Sequence, residues 1–283
     1  MPAAFIGHGS PVNTLDDNRF TRSWRALAAT LPPPRAVLVV SAHWYAAVTA
    51  VTAMAKPRTI HDLFGFGDRL QTFQYPAPGA PEVAREIRDL VKPRFVGLDE
   101  DAWGIDHGTW SVLAQMYPEA NVPIVQLSIN GTKDFAYHIA LAARLAPLRE
   151  RGILILGSGN VVHNLGRVDA SMGERAFDWA VRFDDAAKEI MTTRPADVLE
   201  LQNHPDFAHA VPTPDHFIPL LYVAGLARES GRTPAILVDG YTLGSISMTS
   251  YTLDAACPPR ESAEPSIANP LPDPQVPPDQ TNM

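Results

Sequence analysis

Residues 36–42, 123–129 and 153–157 carry apolar side chains at neighbouring rather than alternate positions. A strand with one face in water alternates apolar and polar residues. A strand without that alternation reads as buried on both faces, which calls for a largely parallel sheet with helices packed on each side. Helical patterns supply the covering layers. They run over residues 19–31, 81–91, 109–117, 133–149, 176–192 and 216–228, with Pro81 and Glu82 at the start of one. Further strands are expected over 47–54, 94–98, 235–238 and 245–253. The alternation predicts an α/β fold: a single domain with a central mixed, largely parallel sheet flanked by helices.

That domain is expected to occupy residues 1–256, since the composition changes at Cys257. Eight of the 27 prolines lie beyond it and no aromatic residue does. A segment of that composition, 257–283, buries too little apolar surface to order itself and is expected to be a Pro-rich disordered tail.

Composition narrows the function classes. The net charge of -8 argues against an extended phosphate-binding surface, hence against a nucleic-acid partner. No apolar run approaches the ~20 residues needed to cross a bilayer. One cysteine, Cys257, excludes an internal disulfide framework and a thiolate zinc cluster. A reducing compartment follows, and with an N-terminus unlike a signal peptide the expected location is cytoplasmic.

Within such a sheet, ligands bind beyond the carboxyl ends of the strands. Four of the nine histidines sit at turn or strand-end signals. His8 follows a short apolar run inside Gly7-His8-Gly9-Ser10. His43 closes the run over 36–42. His163 follows the 153–157 strand, and His216 opens a predicted helix behind Thr213-Pro214-Asp215. Strand ends can bring such residues together, and neutral imidazole is the commonest protein ligand for zinc and iron. His107, between Asp106 and Gly108 with Trp103 and Trp110 nearby, is placed to act as a general acid or base, or simply as a capped loop histidine. His138, His204 and His209 read as structural. Ser158 lacks a nucleophile elbow, and Gly7-x-Gly9 lacks the third glycine of a dinucleotide loop.

Seven motifs, in order, carry a resemblance. They are Gly7-His8-Gly9-Ser10-Pro11, Ser41-Ala42-His43-Trp44, Thr59-Ile60-His61-Asp62, Tyr75-Pro76-Ala77-Pro78-Gly79, Asp106-His107-Gly108-Thr109-Trp110, Ser158 through Leu165, and Pro214-Asp215-His216. Together they resemble the DOPA-type extradiol aromatic ring-opening dioxygenase family, in the superfamily of protocatechuate 4,5-dioxygenase catalytic subunits. The resemblance implies a mononuclear non-haem metal: Fe(II) for ring cleavage, with Zn(II) often associated with bacterial members. It implies a catechol and O2 as substrates and a muconic semialdehyde as product. It also implies that His8, His43, His163 and His216 are metal-associated, and that His107 contacts substrate with His61 near the entrance or held by Asp62. Well-known superfamily members complete the site with a carboxylate. Here His216 or Asp215 could take that place, and with three ligands His163 would be an acid/base. Two other readings stand beside this one: a zinc-dependent hydrolase using the same histidines, and a non-catalytic metal-binding protein.

Overall fold

A computed structural model describes residues 1–257. Its strands are β1 (Ala3–Gly7), β2 (Ala36–Ala46), β3 (Ala50–Thr52), β4 (Gly97–Asp99), β5 (Ile124–Asn130), β6 (Ile153–Gly159), β7 (Ala235–Val238), β8 (Tyr241–Thr242), β9 (Ile246–Ser247) and β10 (Ser250–Leu253). Its helices are α1 (Arg19–Thr30), α2 (Asp68–Gln71), α3 (Pro81–Leu90), α4 (His107–Met116), α5 (Phe135–Leu145), α6 (Pro147–Glu150), α7 (Asp178–Thr193), α8 (Phe207–Ala210) and α9 (Ile218–Ser230). The tail expected from residue 257 onward lies, beyond its first residue, outside the described residues.

Eight strands make one sheet in the order β4-β3-β5-β2-β6-β1-β10-β7. The central four, β5-β2-β6-β1, are mutually parallel. Antiparallel pairings of β3 with β5 and of β10 with β1 and β7 make the sheet mixed. The non-alternating runs behave as their composition requires, because each face of a central strand has its own core. Leu38, Val40, Ile153, Ile155 and Phe5 point into one layer with residues of α3, α5, α7 and α9. Val37, Val39, Leu154, Leu156 and Ile6 point into the other, with Trp24 and Leu27 of α1 and Trp110 and Leu113 of α4.

Register then fixes where the strand ends meet. Ser158 of β6 pairs with both Ser41 of β2 and Ile6 of β1. The segments that follow these positions therefore emerge side by side at one sheet edge.

The strand expected over 245–253 is two, β9 pairing with β8 and β10 joining the main sheet, and three further elements depart from the sequence expectation, each for a local reason. The strand over 36–42 continues to Ala46 through an irregularity. Val40 pairs with Leu127 and Tyr45 with Ile129, so residues 41–44 oppose Ser128 alone. Such a bulge re-aims a side chain, and His43 lies within it. The helix over 133–149 breaks between Leu145 and Pro147, because proline lacks the amide that would continue the helix. The helix expected from 216 begins at Ile218. Pro219 is tolerated only in a first turn, which moves the start downstream of the Thr213-Pro214 signal. His216 sits instead in a turn closed by Phe217 N–H and Ile218 N–H on the Pro214 carbonyl, at 3.1 and 3.0 Å.

That turn lies against the end of β6. The His216 carbonyl accepts Asn160 N–H at 2.9 Å, and a Cβ on Gly159 would overlap the same oxygen. Gly159→Ala is expected to push the turn off the strand and destabilise the domain by about 1–3 kcal/mol. Urea unfolding of the two proteins measures this; equal midpoints would contradict the packing.

Candidate metal centre

Three histidines meet at this sheet edge. His8 follows β1 and donates its backbone N–H to the Gly159 carbonyl at 3.1 Å. His43 projects from the β2 bulge, and His216 from the turn before α9. One ligand atom from each lies within 4.8 Å of the other two. The rings of His8 and His216 belong to residues 1% and 5% exposed, and the His43 side chain is 5% exposed. The close approach needs glycine at one point. A Cβ on Gly108, in the first turn of α4, would come within 2.5 Å of Ser41 Oγ and 2.6 Å of His43 Cδ2.

Hydrogen bonding decides which nitrogen of each ring is available. Ser158 Oγ donates to the Gly108 carbonyl at 2.5 Å, so a lone pair of that oxygen faces His8 Nδ1 at 2.8 Å. His8 therefore carries its proton on Nδ1 and a lone pair on Nε2. His216 Nδ1 is hydrogen-bonded to Asp215 Oδ2. Burial would raise the Asp215 pKa, but the charge and hydrogen bond of His216 outweigh it and hold the carboxyl low. An ionised Asp215 fixes the proton of His216 on Nδ1. In the neutral ring Nε2 is then an acceptor, buried and without a hydrogen-bond partner among the described residues.

His43 Nε2 lies 3.3 Å from His8 Nε2, while His43 Nδ1 faces Asp62 Oδ2 at 3.8 Å. Burial first, and then the neighbouring imidazoles, lower the pKa of both His8 and His43 well below the ordinary histidine value. With its proton on Nδ1, His8 turns an Nε2 lone pair toward His43 Nε2, 3.3 Å away, where a neutral His43 ring can donate an N–H. A cation would take the place of that proton and accept a lone pair from both nitrogens. Two nitrogens each about 2.0–2.1 Å from one tetrahedral metal lie about 3.3–3.4 Å apart. The donor set of His8, His43 and His216 thus fits a divalent transition metal. Carboxylates or hydroxyls on the opposite nitrogens are the usual outer support of metal-binding histidines.

His163 reaches the centre differently. Its ring stacks on His216, centroids 3.5 Å apart and planes 4° apart, and it belongs to neither cluster of mutually close ligand atoms found among the described residues. Its backbone is held by the Ala210 carbonyl at 2.9 Å.

The second cluster is His43, Asp62 and His107. His107 is the first residue of α4, fully buried, its ring centroid 3.8 Å from that of His43. Asp62 Oδ1 lies 3.0 Å from His107 Nδ1 and accepts the His107 backbone N–H at 3.0 Å. Burial pushes the Asp62 pKa up, yet His107 outweighs this and lowers it. Neighbouring Asp106 caps α4 through Thr109 N–H at 3.1 Å and accepts from Ser41 Oγ at 2.8 Å, from Trp103 Nε1 at 3.3 Å and from Gln126 Nε2. Burial and the charge of Asp62 push Asp106 up to about 6.

The structure thus brings together His8, His43, His107, His163 and His216. Asp215 faces His216 Nδ1 rather than the cluster of three histidines. His61 stands further out: its Nε2 bonds the Phe73 carbonyl at 2.7 Å and its ring centroid is 6.4 Å from that of Trp110. Asp62 faces His107 and His43, where the sequence pointed to His61. Ser158, Ser41 and Gln126 were not legible as site residues. Ser41 and Ser158 did lie in the motifs that carry the resemblance, beside His43 and ahead of His163.

A cluster of three buried, inward-facing imidazoles at the carboxyl edge of a mixed α/β sheet defines a histidine-based metal protein. Residues 3–253 match the family described as the catalytic LigB subunit of aromatic ring-opening dioxygenase, and the chain belongs to that family. It is 47% identical to a 4,5-DOPA dioxygenase extradiol of Escherichia coli K12, over 89% of this chain and 94% of that protein. It is 36% identical to the protein of the same description from Beta vulgaris, over 87% and 94%. The solved structure of an uncharacterized protein from Escherichia coli K12 superposes with a TM-score of 0.78 at 42% identity, covering 89% of this chain and 99% of that one. The expected fold class, family and ring-cleaving dioxygenase activity all stand. Among the described residues no helix is long and apolar enough to cross a membrane.

His8→Ala, His43→Ala or His216→Ala should reduce bound metal from about one equivalent per chain to a small fraction of it. His163→Ala should leave it in place. Metal analysis of the purified variants checks this; retention of a full equivalent in His8→Ala would contradict the ligand set.

Proposed function

We propose that this chain is an extradiol dioxygenase that opens a DOPA-like catechol with O2, giving a muconic semialdehyde. The carrying observation is the convergence of one ring nitrogen from each of His8, His43 and His216 beside a separate buried histidine, His107. Family membership and the names of the relatives support the substrate class. The proposed catalytic unit is residues 1–256.

His8, His43 and His216 would hold the metal. Bound Fe(II) would supply chelation of the catechol oxygens, acidification of its hydroxyls and electron transfer to O2. Everything else falls to the protein. Ser158 and Asp215 keep Nδ1 of His8 and His216 occupied, so that Nε2 faces inward. The burial of the His8, His43 and His216 rings limits water at the reacting atoms.

His107 is the proposed proton station. With Nδ1 turned to Asp62, its Nε2 can take a proton from a catechol hydroxyl and return it as the ring opens. His163 is proposed as a second acid/base rather than a ligand, supported by its stacking on His216 outside the three-histidine cluster. The aromatic neighbours Trp110 and His61 are proposed to line the approach. Three imidazoles without a thiolate also suit zinc, which is redox-inert and would fill the site without supporting O2 chemistry. A reducing location such as the cytoplasm would preserve Fe(II).

Protein stripped of metal and reloaded anaerobically with Fe(II) should consume one O2 per L-DOPA or simple catechol and form a yellow product. His107→Ala should retain metal and lose about 10²–10⁴-fold in kcat. An oxygen electrode measures both. No uptake with any catechol by the iron-loaded protein would contradict the reading.

A further inference from the structure

Asp62 joins two histidines that the dioxygenase reading assigns to different tasks. Its Oδ1 serves His107 twice, through Nδ1 and through the backbone N–H, both at 3.0 Å. Its Oδ2 faces Nδ1 of His43 at 3.8 Å, longer than a hydrogen bond, so that second interaction is electrostatic. The carboxylate is largely shielded from water, its side chain 13% exposed.

We infer that Asp62 is a positioning residue that holds His107 in its Nδ1–H tautomer and, with its other oxygen, supports His43 as a metal ligand. The role of His107 rests on the reading above; the tautomer does not. An imidazole has two nitrogens and, when neutral, one proton. A carboxylate at Nδ1 draws the proton there and leaves the lone pair on Nε2. One carboxylate thereby sets the direction of both rings, whose centroids are 3.8 Å apart. It ties the geometry of the proton station to that of the metal ligand.

The alternative chemistry for the same three residues is a second cation site, since His43, Asp62 and His107 also offer mutually close ligand atoms. The hydrogen bond from the His107 backbone amide favours positioning. It occupies Oδ1, the oxygen that also faces His107 Nδ1.

Two substitutions separate the two halves of this role. In Asp62→Asn the His107 backbone N–H still requires an acceptor, so the amide oxygen takes the Oδ1 position and the NH2 group faces His43. Asp62→Ala removes both contacts. On zinc-loaded protein without substrate, long-range ¹⁵N–¹H spectra report each ring's tautomer. Wild type and Asp62→Asn should show His107 as Nδ1–H, while Asp62→Ala should lose that preference. Zinc affinity should fall about 10–100-fold in Asp62→Asn, with its urea midpoint showing that it is folded. An unchanged His107 tautomer in Asp62→Ala, or wild-type zinc affinity in Asp62→Asn, would overturn the assignment. So would a second zinc equivalent in wild type that Asp62→Asn loses. Because no substrate is present, a failure of the dioxygenase reading leaves the tautomer result standing, and the reverse also holds.

Discussion

The confrontation of His8 Nε2 and His43 Nε2 across 3.3 Å is the contact on which the site depends. Neither ring reaches the other through its own chain segment. They are held there by the sheet. Parallel pairing of β6 with both β1 and β2 puts Ile6, Ser158 and Ser41 in line, and the next few residues deliver the rings. Ser158 then does double duty, as the central strand's partner to both neighbours and as the acceptor that fixes the His8 tautomer.

Around that contact each second nitrogen faces an oxygen, by hydrogen bond at His8 and His216 and at 3.8 Å at His43. Ser158, Asp62 and Asp215 stand at Nδ1 of His8, His43 and His216. Three different elements thus supply one rule: a hydroxyl or carboxylate outside, a lone pair inside. The cost of burying Asp62 and Asp215 is offset by the histidines they serve, which lower both carboxyls despite burial. Asp106 has no such partner beyond the start of α4. It is held mainly by neutral donors, and burial raises it.

The sheet and most of its helices were legible because a non-alternating apolar run has few structural solutions, and residues 36–42 and 153–157 found the expected one. The candidate ligands were legible because His8, His43 and His216 each sit beside a strand-end or turn signal. What the sequence concealed is three-dimensional. Residues 41–44 carry no mark of the bulge that aims His43, since the bulge is defined by the partner strand. Pro219, rather than Pro214, sets the start of α9, and both fit a first turn by local rules. Asp62 adjoins His61 in sequence, whereas its partners, His107 and His43, are brought to it by α4 and β2.

X-ray absorption at the metal edge of the loaded protein would test the centre most directly. Three imidazole nitrogens at about 2.0–2.1 Å, unchanged in His163→Ala, are the result predicted for zinc. A shell of four imidazoles that falls to three in His163→Ala would contradict the ligand set drawn from His8, His43 and His216.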